Sequence, residues 1–229
     1  FCIIKNEAQF IGLSVMSFLD YVDELCYLVS PSNDATMDIL THIKERYDKH
    51  DCVKIFPYED FNVQNQSAYE LANTISIQHC TSDYCFWVHA DMLCTNPWDI
   101  KDEIIANGYA DRYEVNVQSI AGENYDQEFE DGRNPWWGNI IKNDYHPEYR
   151  GAYGSKDEDF FHTDLVDESE RRHWSRITDA PFSVARSAVK ILHFCECRPY
   201  EERKRKMIKV LRTAYAGIQD DQVADVVAT

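Results

Sequence analysis

A chain of 229 residues that is 44% hydrophobic, with only eight glycines and seven prolines, has room for one large domain or two small ones and the material for a sizeable core. Its net charge of −17 argues against nucleic acid as a partner, because phosphate binding needs a basic face. No stretch approaches the roughly 20 apolar residues that cross a bilayer, so no transmembrane segment is expected.

The first hundred residues alternate strand and helix. "FCIIK" is a short apolar run that reads as a strand rather than a leader. Phe10, Ile11, Val15, Phe18 and Leu19 then recur at helical spacing. "ELCYLVS" predicts a second strand and Asp34 to Tyr47 a second helix, with Met37, Leu40 and Ile43 along one side. "CVKIF" is a third strand, Ser67 to Ile77 a third helix, and "DYCFWVHA" a fourth strand. "NPWDIKDEI" starts another helix, with Asn96 placed to cap and Pro97 at the first helical position. The cysteines at 2, 26, 52, 80, 85, 94, 195 and 197 show no CxxC spacing, and several fall inside these strands. They read as reduced thiols in an intracellular, cytoplasmic protein.

Beyond Gly108 the pattern changes. "YEVNVQSI" alternates like a half-exposed strand, "ENYDQEFEDGRNPWW" is a polar, aromatic loop, and "GNIIKN" is a candidate short strand. The residues from Tyr145 to Thr163 are irregular, and the chain closes with "VKILHF" and a basic helix from about Pro199. No internal repeat or low-complexity linker is present, so a single domain over 1–229 is expected, in two halves, 1–107 and 108–229. Strands separated by helices imply right-handed βαβ crossovers and an α/β fold, with a mostly parallel central sheet covered by helices on both faces. In such sheets ligands bind beyond the carboxyl ends of the strands. Asn6 and Glu7, Ser30 to Asp34, and His89 with Asp91 all fall at such ends.

These residues together resemble the family 2 glycosyltransferases of GT-A fold, especially the short bacterial and viral type. The resemblance runs through "IIKNEAQFI", through "VDELCYLVSPSNDAT" with Ser32, Asp34 and Thr36 in an S-x-D-x-T turn, and through "FNVQNQSAYELA". "FWVHADML" stands where the family carries Asp-x-Asp, and "KILHFCECRPYEERKRK" resembles its closing strand and Arg-rich helix. Coverage is good over the first 100 residues or so and thin afterwards. The resemblance implies a transferase that moves a sugar, with inversion, from a nucleotide-diphosphate donor to the hydroxyl of a glycan or other acceptor. The first half would bind the nucleotide-sugar and the second the acceptor.

A cation bridging the two phosphates would stabilise the leaving group as a Lewis acid, and Mn²⁺ or Mg²⁺ takes hard oxygen ligands. On this reading Asp91 binds metal directly, His89 replaces the first acid of the motif and touches ribose or metal, and His193 is a further ligand. Lys5, Asn6, Glu7, Ser30, Ser32, Asp34, Gln64 and Asn65 would line the nucleotide. Each has a plainer alternative: Asn6, Glu7 and Asp34 suit helix caps, and either histidine could be a hydrogen-bonded structural residue. The family's base-reading acid is replaced here by Val29 and Ser30, leaving UDP-, GDP- and dTDP-sugars open as donors.

An inverting transferase needs a carboxylate to take the acceptor proton. "SKDEDFF" offers Asp157, Glu158 and Asp159, with Asp159 first because aromatic residues follow it; Glu123, Asp126 and Glu128 are the other candidates. Trp136 and Trp137 are either a sugar-stacking platform or core. Arg198 or Arg203 could approach the diphosphate, although the basic run reads first as a solvated helix face. Two other functions fit the pattern. One is a GT-A module that binds a nucleotide-sugar without turnover; the other is a metal-dependent hydrolase using His89, Asp91 and His193.

Overall fold

The computed structural model describes residues 1–59, 66–121, 127–128, 138–143 and 183–197. The first half runs β1 (Cys2–Ile4), α1 (Ile11–Phe18), β2 (Leu25–Val29), α2 (Thr36–Arg46), β3 (Val53–Pro57) and α3 (Gln66–Gln78). β1, β2 and β3 lie side by side, all parallel, with Tyr27 opposite Cys2 on one side and Ile55 on the other. Side chains alternate faces along each strand. Ile3, Leu28 and Phe56 share one row and pack with Ala72 and Ile75 of α3. Ile4, Tyr27, Val29 and Val53 join Ile11, Val15, Phe18, Leu40 and Ile43 of α1 and α2 in the main core. Fully burying each such side chain stabilises the fold by roughly 1.5–3 kcal/mol, which explains why both faces of a five-residue strand such as β2 are apolar and buried.

The second half contains β4 (Tyr84–Phe86), β5 (Met92–Cys94), α4 (Asp99–Ala106), β6 (Arg112–Ala121), β7 (Gln127–Glu128), β8 (Gly138–Lys142) and β9 (Val184–Glu196). They form a mixed sheet in the order β4-β8-β6-β9-β5, with β7 beside β6. β6 is parallel to β9, while β4–β8, β6–β8 and β5–β9 are antiparallel. The parallel arrangement expected from the sequence thus holds for the first three strands, and the second half folds back on itself.

Phe1 joins the two sheets. Its nitrogen donates to the Phe86 carbonyl at 2.7 Å, and the Val88 N–H donates to the Phe1 carbonyl at 3.1 Å. That is the slanted ladder of a parallel pair, so β1 and the 84–88 segment run in the same direction. One core continues across this junction, from Tyr27 and Leu40 to Met92, Tyr113 and Ile141.

Three local readings change. The fourth strand ends at Phe86, because the chain turns at Ala90–Asp91, with the Met92 N–H on the His89 carbonyl at 3.1 Å, and returns as β5. Asn96 does not cap α4, which starts three residues later. Its amide bonds Asp99 at 2.7 Å, and its carbonyl oxygen accepts the Lys190 N–H at 2.8 Å, tying the helix entry to β9. Nor does Asn6 or Glu7 stand at the N-cap position of α1, whereas the Asp34 carboxylate, one residue before the N-cap position of α2, does accept the N–H of Thr36, the first residue of that helix, at 3.0 Å. The N-cap positions of α1 and α2 are Phe10 and Ala35, neither with a side-chain bond.

Candidate functional site

His89 and Asp91 sit in the tight connection between β4 and β5, and His193 reaches them from β9. Antiparallel pairing of β5 with β9 sets His193 opposite Met92, one residue from Asp91, and the Phe194 N–H closes on the Asp91 carbonyl at 2.9 Å. Residues a hundred positions apart thus present their side chains to one point. His193 Nε2 lies 3.3 Å from Asp91 Oδ1 and His89 Nδ1 lies 4.0 Å from the same oxygen. Ligand atoms of all three fall within 4.8 Å of one another, the one group of this kind among the described residues. The Asp91 and His193 side chains are 3% and 6% exposed and that of His89 27%. The cluster therefore has a closed floor and one open side, at His89.

The floor is supported from three directions. Trp87, two residues before His89 and buried, sets its ring edge-on to the imidazole at 4.3 Å, and its indole N–H donates to Asn73 of α3 at 3.2 Å. Ser14 of α1 donates to the His89 carbonyl at 3.3 Å, and Ser17 accepts the Cys94 N–H at 3.1 Å. Phe10, at the entrance to α1, stacks on Phe194 with ring centroids 5.6 Å apart. Sequence reasoning singled out the three clustered residues but missed this support. The readable signal was the i, i+2 spacing of Trp87 and His89, which puts neighbours on one side of an extended chain.

The other sequence-named residues lie at the ends of β1 and β2. There the loops hold each other. The Asn6 N–H donates to Ser32 Oγ at 3.0 Å, and the Asn33 N–H donates to Asn6 Oδ1 at 2.9 Å. The Glu7 N–H donates to the Thr36 hydroxyl at 2.7 Å, which in turn donates to Asp34 Oδ1. Asp34 also accepts the Thr36 and Ala8 amides at 3.0 and 3.1 Å. Partial burial pushes the Asp34 carboxyl up, but the Thr36 hydroxyl and the amides of Ala8 and Thr36 outweigh it and hold it below the ordinary carboxylate value. Asn6 has φ of 56°, a left-handed conformation that asparagine tolerates better than most residues. Ser30 is buried and donates to the Glu59 carbonyl at 2.9 Å. Lys5 follows β1 directly, on the same edge.

Several sequence-named residues lie outside the described ones: Gln64, Asn65, Glu123, Asp126, Trp136, Trp137, Asp157, Glu158, Asp159, Arg198 and Arg203. No helix among the described residues is long and apolar enough to cross a membrane.

A carboxylate with two imidazoles is a donor set that divalent first-row metals accept, and the three atoms are close enough to share one ion. The residues present therefore fit a divalent cation.

No protein-family model and no curated protein matches the chain. Solved structures do. Staphylococcus aureus TarS 1–349 is 11% identical over 99% of this chain and 68% of its own, with a TM-score of 0.51. Longer TarS is 12% identical over 99% of this chain and 41% of its own, with a TM-score of 0.53. This chain thus spans less than half of the longer protein. At these identities the likeness establishes the fold: α/β, of the GT-A type.

Proposed function

We propose that this chain is a glycosyltransferase that moves a sugar from a nucleoside-diphosphate donor to an acceptor hydroxyl, with inversion and with Mn²⁺ or Mg²⁺ bound by Asp91, His193 and His89. The observation that carries the reading is the convergence of these three side chains in the β4–β5 turn of a GT-A fold. TarS, which shares that fold, has been crystallised with UDP and with UDP-GlcNAc.

When bound, the cation would supply Lewis-acid stabilisation to the departing diphosphate. Asp91 and His193, buried at the floor, would hold it together with His89 on the open side. Ser30, Ser32, Asp34, Asn6, Glu7 and Lys5 shape the nucleotide edge, chiefly by holding the two loops in register. We assign Gln64 and Asn65 to nucleotide binding, and the proton of the acceptor hydroxyl to a carboxylate of the Asp157–Asp159 run, Asp159 first. Residues 1–107 form the donor half and 108–229 the acceptor half. UDP, GDP and dTDP all remain candidate carriers.

The test is thermal melting with UDP, GDP and dTDP, each with and without Mn²⁺, on the wild type and Asp91→Ala. A ligand at a hundred times its dissociation constant adds about 2.7 kcal/mol, which raises Tm by about 5–10 °C for a chain of this size. The expected result is a metal-dependent rise with one diphosphate, absent in the variant. No rise with any nucleotide overturns the reading.

The donor set itself favours one second reading. Two imidazoles and a carboxylate also suit Zn²⁺ in a hydrolytic site. Tight zinc retention without nucleotide affinity would select it.

A further inference from the structure

His89 is the most exposed member of the cluster, yet its backbone is firmly tied. Its N–H donates to the Met92 sulfur at 3.3 Å, and its carbonyl accepts from Ser14 Oγ at 3.3 Å and from the Met92 N–H at 3.1 Å. The side chain itself is 27% exposed, while those of Asp91 and His193 are closed off. With the backbone fixed, two side-chain torsions decide where the ring nitrogens point.

Two rings bear on that imidazole. Trp87 lies edge-on to it with centroids 4.3 Å apart and planes at 83°, and His193 stands at 5.3 Å and 70°. The Trp87 contact is closer than the roughly 4.5–7 Å usual for edge-to-face aromatic pairs. The imidazole therefore cannot swing without displacing the indole. Trp87 is itself anchored, because its indole N–H donates to Asn73 Oδ1 of α3 at 3.2 Å, and the two residues are 4% and 0% exposed.

Packing alone does not require this pair. Trp87 belongs to the main apolar core, where a phenylalanine or leucine would fill space without needing a polar partner. An amide side chain is costly to bury unless it is hydrogen-bonded. Asn73 meets that cost through an indole whose far side is the imidazole of the cluster.

We propose that Trp87, tethered by Asn73, is a positioning residue for His89: it sets the plane of the imidazole in advance, so that binding a cation need not order the ring. The inference rests on the reading of His89, Asp91 and His193 as a divalent-cation site. It adds that α3, which supplies none of the three side chains, tunes that site through one indole. Loss of an outer partner of a metal-binding side chain typically weakens metal binding by about 10–100-fold. The lower end is expected here, because Trp87 restrains the ring by contact rather than by a hydrogen bond to it.

Co²⁺ is the probe, since it binds nitrogen and oxygen sites more tightly than Mn²⁺ and its visible absorption reports the groups around it. Titrations of the full chain compare wild type, Trp87→Leu, His89→Ala and the double variant, with circular dichroism checking that each is folded. Trp87→Leu should bind about 10-fold more weakly with an altered absorption band, and should cause no further loss in the His89→Ala background. Trp87→Phe, which keeps a ring but loses the tether, should show a smaller loss of the same kind, and it carries the test if the leucine variant does not fold. A loss of equal size with and without His89 marks a tryptophan that serves the fold alone and overturns the proposal, as does unchanged affinity in a folded variant. If wild type binds no Co²⁺, or binds it equally without His89, the three-residue cation site falls and the proposal with it. If His89→Ala weakens binding and the Trp87 variants do not, only the proposal falls.

Discussion

Two clusters of polar residues line the same edge of this fold, and they are built on opposite principles. At the ends of β1 and β2 the polar groups satisfy one another: Asn6 with Ser32 and Asn33, and Asp34 with Thr36 and Ala8. At the β4–β5 turn, two imidazoles and a carboxylate face a common point with their ligating atoms within 4.8 Å. The first cluster is a fastener between two loops; the second gathers two imidazoles and a carboxylate at one point, the proposed cation site. The contrast teaches that a polar residue at a strand end is not yet a site residue. The direction of its bonds decides.

The sharpest way to break the comparison is to cut each cluster once. Asp91→Ala removes the oxygen closest to both imidazoles. Turnover of the proposed transferase should fall by on the order of 10³-fold or more, the several kcal/mol that a bound Lewis acid supplies, and metal-dependent stabilisation should disappear. Asp34→Ala should act on the fold instead. Losing the acceptor of the Ala8 and Thr36 amides on an exposed loop costs about 1 kcal/mol, read as a lower denaturation midpoint whether or not nucleotide is present. If Asp34→Ala left stability intact and abolished nucleotide binding, the fastener would itself be a ligand contact and the distinction would fail.

Acid sharpens the same point with a smaller effect. The Asp34 carboxyl lies below its ordinary value near 3.8 in the folded state, and so does that of Asp48, whose burial is outweighed by the Val53 and Cys52 amides and the Cys52 thiol. A group lowered on folding contributes its full stability above the unfolded value and loses it as pH falls through the folded one. The stability gap between wild type and Asp34→Asn should therefore be constant above pH ~5 and narrow steadily below pH ~4. Denaturant titrations at pH 6, 4 and 3 would show it. A gap that is flat across all three would mean the carboxylate gains nothing from its amides.

Much of this was legible in the sequence, for reasons that differ by region. The β1–β3 unit is read easily because its apolar runs are short, continuous and separated by helical periods, and because its contacts are between neighbours in the chain. The His89–Asp91–His193 cluster was legible through the resemblance carried by "FWVHADML" and "KILHF", not through spacing, since His193 stands 102 residues beyond Asp91. Less legible was the mixed second sheet. β6 alternates like an exposed strand, yet it lies between β8 and β9, with Tyr113, Val115 and Val117 buried. Periodicity reports which face of a strand is wet; it does not report who sits beside it. Asn96 shows the same limit: its sequence position suits a cap, and only the approach of β9 explains why its amide is used on Asp99 and the Lys190 backbone instead.

The smallest effect concerns a residue that belongs to neither cluster and measures the core between them. Tyr27 is 1% exposed at the centre of β2, and its hydroxyl has no hydrogen-bond partner among the described residues. Burial first, and then the thiols of Cys2, Cys52 and Cys26, push its phenol well above the ordinary value, so it stays neutral throughout the accessible pH range. A buried hydroxyl without a partner costs folding free energy, and removing it while keeping the ring recovers that cost without opening a cavity larger than one oxygen. Tyr27→Phe should accordingly raise stability by about 1 kcal/mol and leave both edge clusters unchanged, measured as a higher denaturant midpoint with the same slope. A destabilisation of similar size would show instead that the hydroxyl is held by an acceptor. In that case the core beneath the two loops would carry a polar tie, and the fastener would extend one layer deeper than Asp34 and Thr36.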